Sequence, residues 1–311
     1  MVLTRRSGRA QEAEEEVKMF THTRKLLELI RFSHTIFALP FALASAAIAW
    51  KIDGFRWLDL VGILLCTVTA RSFAMAFNRL VDRDVDAKNP RTAMRHLPAG
   101  TLQTSTVTIF TAICGAAFVL STWLFQLREP ANPWPFQLSI PVLIFLAAYS
   151  LTKRFTSLAH VWLGVSLALA PIAAWIAVRG MIDMTTPLLL GAGVLFWVAG
   201  FDVLYACQDA EFDKKEKLHS IPARLGVTLA LRLAAISHAI AFGFFLAFGF
   251  ACPQLSWVYR STMIAVGLLL IYQHRLVSPN DLTRVNQAFF RVNAIISVAV
   301  LAAVLVELVL F

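Results

Sequence analysis

Nine apolar runs, each close to the length of a bilayer-crossing helix, dominate this 311-residue chain. They lie near 34–50, 58–78, 104–126, 136–152, 158–178, 186–207, 227–250, 256–273 and 287–310. A hydrocarbon core about 30 Å thick takes roughly 20 helical residues to cross. No water is available there, so each segment must satisfy its own backbone N–H and C=O groups, which a helix does and an isolated strand cannot. The sequence therefore predicts an all-α integral membrane protein, a bundle of nine transmembrane helices, with the first and fourth runs short. Hydrophobic residues supply 58% of the chain and charged ones 15%, a balance too apolar for a water-soluble globule.

The formal charge of +9 is distributed by side. Counted over alternating connections, 22 of the 28 Lys and Arg residues fall on one side and five on the other, with Arg71 inside a run. Lys and Arg collect in cytoplasmic loops, facing anionic lipid. This bias predicts a cytoplasmic (inner) membrane protein with its N-terminus inside and its C-terminus outside. It also accounts for the basicity without nucleic acid, since no binding module accompanies the charge. Residues 1–30 are expected to form a cytoplasmic tail and 31–311 a single membrane domain. An acidic run, Glu12–Glu16, stands where a signal peptide would carry its apolar stretch, so no cleavable signal is expected. Cys66, Cys114, Cys207 and Cys252 show no paired ligand spacing and read as small packing residues.

The two long connections, 79–103 and 208–226, fall on the inner side and carry the densest charge. Before the first, Arg71, Met75, Asn78, Asp82 and Asp86 recur at roughly 3.7 residues, placing them on one helix face. Before the second, Asp202, Tyr205, Asp209 and Asp213 repeat the pattern, and Asn78, Asp82 and Asp86 lie 127 residues ahead of Tyr205, Asp209 and Asp213. Each helix is thus expected to bring a column of oxygen donors to the cytoplasmic face. Hard divalent cations such as Mg²⁺ take oxygen ligands and commonly bridge one or two carboxylates to a substrate phosphate. Carboxylates crowded at a bilayer margin repel one another and resist desolvation, and a cation with an anionic substrate removes that cost. Arg31, Arg71, Lys153 and Arg154, the last two just after Tyr149, are placed to stabilise the charge of a departing diphosphate.

These residues resemble a known family. Asn78-xxx-Asp82-xxx-Asp86, then Arg91-Thr92 and Leu97-Pro98-Ala99-Gly100, is similar to the first motif of the UbiA superfamily of intramembrane aromatic prenyltransferases. Tyr205-xxx-Asp209-xxx-Asp213 is similar to the second motif, and the stretch from Tyr149 through Lys153 and Arg154 resembles the one after the fourth span. The resemblance implies a nine-helix bundle around a central cavity, and Mg²⁺ held through Asn78, Asp82, Asp86, Asp209 and Asp213. It implies a polyprenyl diphosphate bound by Arg71, Lys153 and Tyr149, and an electron-rich phenol that attacks the allylic carbocation at carbon. Asp202, Tyr205, Arg31 and Arg154 complete the candidate substrate-binding set; Asp82, Asp209, Arg71 and Lys153 are the candidate catalytic residues. The second motif with Leu218–Pro222 resembles a branch labelled 4-hydroxybenzoate polyprenyltransferase-like, some members of which serve menaquinone synthesis by prenylating a dihydroxynaphthoate. One departure stands out: Arg95-His96 occupies a place where the family often has Arg-Pro.

A cation transporter using the carboxylates as an ion path is the alternative from another class. Transporters tend to carry ionisable groups at mid-membrane and inverted repeats; here the carboxylates gather at one end and the repeat is parallel. His34 and His219 read as polar boundary residues. Trp50, Trp57, Trp134 and Trp257 fall near expected outer interfaces, where an aromatic belt accounts for them.

Overall fold

The computed structural model describes residues 24–30 and 32–310. Among these, nine long α-helices carry the chain: α1 (Leu39–Asp53), α2 (Trp57–Val81), α3 (Thr104–Thr122), α4 (Trp134–Thr152), α5 (Ala159–Arg179), α6 (Thr185–Ala206), α7 (Val227–Ala251), α8 (Trp257–Arg275) and α9 (Asn293–Leu310). Short helices at Arg83–Lys88, Ala210–Lys215 and Ile221–Leu225 sit in the two long connections, and a π-helix, Gln287–Val292, leads into α9. The described residues form no strand beyond one isolated bridge, Ser278 to Asp281.

Seven segments are long and apolar enough to cross a membrane; α1 and α8 are outside that set. At 15 residues, α1 spans roughly 22 Å on its own. A 3-10 turn, Phe32–Phe37, extends it at its start. α8 has the length, at 19 residues, but carries Arg260, Gln273, His274 and Arg275. Trp57, Trp134 and Trp257 are each the first residue of an even-numbered helix and each exposed. Ile109, Ile113, Leu120, Phe250, Ile264 and Leu268 point outward, an arrangement that lipid, unlike water, leaves without cost.

Helix α6 is the spine, packed against α5 on one side and α7 on the other, with α1 against α5 and α9. Phe41 of α1 stacks on Phe245 of α7 and tilts against Trp197 of α6. Between membrane helices the packing comes from close backbone approach at small residues, since lipid is as apolar as leucine. Gly164 of α5 shows why: a Cβ there would stand 2.4 Å from the carbonyl oxygen of Leu195 in α6. Gly200 of α6 similarly leaves room for the His238 ring of α7. The α5–α6 contact also sets His160 of α5 against Asp202 of α6, so it positions part of the site described next.

Replacing Gly164 with Val should force α5 off α6 and destabilise the protein by about 1–3 kcal/mol, the usual cost of overpacking. The expected result is a lower unfolding midpoint in detergent, followed by size-exclusion chromatography after heating, whereas Gly54→Ala, where a Cβ meets nothing, serves as a strain-only control.

Candidate active site

Both acidic motifs are built the same way. Helix α2 runs to Val81 and stops at Asp82, whose backbone (φ −90°, ψ 4°) has left the helical basin; the six-residue helix Arg83–Lys88 follows. Helix α6 runs to Ala206 and a single 3-10 turn, Cys207–Asp209. Asp209 then adopts nearly the same conformation (φ −104°, ψ 6°) ahead of the six-residue helix Ala210–Lys215. This region of backbone space is sparsely used and is frequented by active-site residues. The expectation of an unbroken helical column is therefore corrected: each helix breaks at the middle aspartate of its motif. Aspartate is a weak helix former whose short side chain favours helix ends, so the break falls where the sequence permits it.

The break does not scatter the donors. Arg71, Asn78, Asp82, Asp86, Tyr149, Lys153, Arg154, Asp202, Tyr205, Asp209 and Asp213 all line one cavity of about 240 Å³. Arg31, the remaining candidate, lies outside the described residues. Asn78 donates to Asp82 Oδ2 at 2.8 Å and approaches Ser150 Oγ at 3.4 Å. Arg154 donates to the Val81 carbonyl at 2.7 Å, its guanidinium 3.7 Å from Asp82 Oδ1. Asp86 is nearly buried, and Arg95 Nη1 reaches both its oxygens at 2.7 Å, with Arg79 at 4.0 Å. Asp209 accepts from Arg91 through both oxygens and from Asn89 at 3.0 Å, while Arg91 also donates to the Tyr205 hydroxyl at 2.8 Å. Asp213 is buried with Oδ2 unpartnered.

Electrostatics follow from the burial. Desolvation lifts the Asp82 carboxyl above the ordinary aspartate range, opposed by Lys153 and reinforced by Asp86. Burial works against the charge on Lys153, yet Tyr149, Asp202, Asp213 and Asp82 hold its pKa above the usual lysine value. Among the described residues no three His, Cys, Asp or Glu side chains converge tightly enough to hold an ion unaided. That does not conflict with Mg²⁺, which keeps several waters and binds through one or two carboxylates plus phosphate oxygens. The donor set is all oxygen, and the orphaned Asp213 Oδ2 is a buried acceptor in search of a cation, so the residues fit such an ion.

A second, apolar cavity of about 240 Å³ continues from the first. It lies among α2, α3, α4 and α5, walled by side chains such as Ala70, Ala74, Leu146, Ala170, Ala174 and Phe118. Arg71, Asn78 and Tyr149 line both chambers and mark the border between charge and grease.

A family model, the UbiA prenyltransferase family, matches residues 38–295, most of the chain and both acidic motifs. The chain belongs to the UbiA prenyltransferase family. A relative from Aromatoleum aromaticum, described as a 4-hydroxybenzoate octaprenyltransferase, is 32% identical over 254 residues, 81% of this chain and 83% of that one. The apo structure of a UbiA homolog from Aeropyrum pernix K1 superposes with a TM-score of 0.79 at 30% identity, covering 88% of this chain and 98% of that one. A UbiA homolog from Archaeoglobus fulgidus, solved bound to DMAPP and Mg²⁺, shares the fold at a TM-score of 0.65 and 19% identity, covering 92% and 100%.

Some polar side chains around this UbiA-type cavity carried no distinctive sequence signal. Arg91 and Arg95 figured in the sequence only as part of the first motif and of its one departure, and Asn89 was given no role; folding shows the three clasping Asp209 and Asp86. His160 was a lone histidine in an apolar run and is fully buried, 2.6 Å from Asp202. An ionisable group inside a membrane segment is itself the cue that could have found it.

Arg91 is the pin that ties the 89–100 loop to the end of α6. Arg91→Ala removes its charged hydrogen bonds to Asp209, each of the kind worth about 1.5–3 kcal/mol when shielded and less where partly exposed. The expected outcome is roughly tenfold faster amide exchange across residues 89–100 by mass spectrometry, with the exchange of α7 and α8 unchanged.

Proposed function

We propose that this protein transfers a polyprenyl group from a polyprenyl diphosphate to 4-hydroxybenzoate, with Mg²⁺, as a step of quinone biosynthesis. One observation carries the reading: a chamber bearing both acidic motifs, six basic side chains and Tyr149 adjoins an apolar chamber, and Arg71, Asn78 and Tyr149 line both. That is the shape of a site for a molecule with an anionic head and a hydrocarbon tail. The 4-hydroxybenzoate octaprenyltransferase names of the relatives and the Mg²⁺ and DMAPP in the Archaeoglobus fulgidus homolog support it.

In this reading Asn78, Asp82, Asp86, Asp209 and Asp213 would hold the metal, which would supply Lewis-acid neutralisation of the diphosphate charge. Arg95 and Arg91 must then release Asp86 and Asp209, and their guanidinium groups suit the diphosphate's oxygens. Lys153, Arg154 and Tyr149 sit where negative charge grows on the leaving group, a cost that fixed cations lower. The prenyl tail lies among the alanines of α2 and α5, away from water that would quench a carbocation. Arg71, at the border and with its Nε buried and unpartnered, faces either anion and is assigned to substrate. The ring carbon next to the hydroxyl bonds to the allylic carbon, whose C–O bond breaks with its electron pair leaving on the diphosphate, and the ring proton passes to the released diphosphate or to water.

We also propose that all nine long helices cross the cytoplasmic membrane, residues 31–311 forming one domain, with residues 1–30 and the polar cavity on the cytoplasmic side. The 22-to-five distribution of Lys and Arg supports this orientation. With the turn Phe32–Phe37 in line, α1 reaches roughly 34 Å, enough for a crossing. The clustering of carboxylates at one end tells against an ion path through the bundle.

Two experiments test these statements. Membranes containing the protein, given geranyl diphosphate, Mg²⁺ and an equal mixture of 4-hydroxybenzoate and 1,4-dihydroxy-6-naphthoate, should yield prenylated 4-hydroxybenzoate. A naphthoate product in its place assigns the second acceptor, and no product from either sinks the reading. Asp82→Asn should cut turnover at least about 100-fold, the scale of lost transition-state charge stabilisation, while the protein still inserts. For orientation, a cysteine placed at Lys217 of a variant lacking the native thiols should resist a membrane-impermeant maleimide in intact cells, and one placed at Arg128 should react.

A further inference from the structure

His160, to which no role has been given, is paired with Asp202, a candidate substrate-binding residue that lines the polar cavity. His160, near the start of α5, has no exposed surface. Its Nε2 receives the backbone N–H of Ile221 at 3.3 Å, so that nitrogen must carry a lone pair and the ring proton sits on Nδ1. Nδ1 lies 2.6 Å from Asp202 Oδ2 and donates to it. The same short segment pins the neighbouring basic residue, because the His219 N–H donates to the Lys153 carbonyl at 2.8 Å. Residues 219–221 therefore fix the ring of His160 and the backbone of Lys153 together.

One carboxylate oxygen of Asp202 is thereby used up. The other, Oδ1, accepts no hydrogen bond from any described residue, although the side chain lines the polar cavity beside Tyr149 and Lys153. A carboxylate can only accept. Of the two substrates in the reading above, the diphosphate offers only acceptors, and so does the carboxylate of the aromatic acid. The phenolic hydroxyl is the single donor that either brings.

Resting on that reading, we infer that His160 is a positioning residue that orients Asp202 so that Oδ1 accepts the hydrogen bond of the acceptor's phenolic hydroxyl. No proton is transferred to Asp202; the hydroxyl keeps it. The hydrogen bond turns the ring so that the carbon beside the hydroxyl meets the prenyl cation, and it pushes electron density into that carbon. A hydroxyl-bearing aromatic is thus selected over one that cannot donate.

Steady-state kinetics with geranyl diphosphate and 4-hydroxybenzoate test this, with calorimetric binding of 4-hydroxybenzoate alongside. Asp202→Asn and His160→Leu should each raise the acceptor KM roughly 10- to 100-fold, the effect of losing a hydrogen bond to a charged group. The diphosphate KM should stay within about twofold. The double variant should be no worse than Asp202→Asn alone, since both act through one contact. His160→Asn, whose amide can donate from near the Nδ1 position, should recover most of the acceptor affinity. Because a buried leucine at 160 could fail to fold, Asp202→Asn, altered only at the cavity wall, decides by itself. An unchanged acceptor KM in Asp202→Asn overturns the inference, as does a diphosphate KM that rises equally, which would make Asp202 a partner of Lys153. If the unaltered protein does not turn over 4-hydroxybenzoate, the acceptor assignment fails first and takes this inference with it.

Discussion

Desolvation of carboxylates is the constraint around which the polar end of this molecule is arranged. Asp82, Asp86, Asp202, Asp209 and Asp213 share one cavity, and isolated burial of even one ionised carboxylate costs several kcal/mol. Four of them are met by donors, each from a different place: Asn78 one turn earlier, Arg95 from the following loop, His160 from α5, and Arg91 with Asn89 from the far motif. The path of the 89–100 loop and the seat of residues 219–221 follow from this need. Among the described residues two oxygens stay unmet: Asp202 Oδ1 at the cavity wall, and the buried Asp213 Oδ2, where a cation would supply the missing partner.

The two halves repeat in local construction but not in wiring. Each has a long helix, a break at the middle aspartate and a six-residue helix beyond it. Yet both pinning arginines come from the loop after the first motif, Arg95 reaching back nine residues and Arg91 across to the second motif. The second connection, 208–226, supplies backbone contacts instead, through His219 and Ile221. Lys88 and Glu216, 2.8 Å apart, join the short helices across the halves, though an exposed pair of this kind adds little to stability. The first loop thus supplies the charge that spans the halves, and the second sets the register of α5 against α4.

Much of this was legible from periodicity. Lipid-length runs fix helices because the bilayer leaves no other way to satisfy the backbone, and the nine long helices begin and end within a few residues of the apolar runs. Side chains placed by spacing along one helix, from Arg71 to Asp86, did reach one cavity, although the helix is not continuous. Spacing could not show the breaks at Asp82 and Asp209, because a 3.7-residue recurrence survives a change of one backbone torsion pair. Nor could it show Arg91 on Asp209, 118 residues apart, or His160 on Asp202. Such contacts depend on how α5, α6 and the loops dock, which no single-segment pattern contains.

The apolar chamber illustrates a different limit. Its walls owe their position to what is missing: Ala70 and Ala74 on α2, and Ala170, Ala173, Ala174 and Ala177 on α5, leave space where leucines would interdigitate. Read along the chain, the same alanines look like the small residues that let membrane helices approach, and on α6 the glycines do serve that purpose, with Gly200 against His238. The two uses differ only in whether a neighbour fills the gap. Gly164 is filled by the backbone of Leu195, whereas these alanines of α5 line the apolar chamber. Because Arg71, Asn78 and Tyr149 stand at the border of both chambers, any amphipathic molecule drawn in by the apolar space has its polar end delivered to the carboxylates. Small residues in the membrane and acidic ones at its margin are therefore parts of one device, and neither is intelligible without the other.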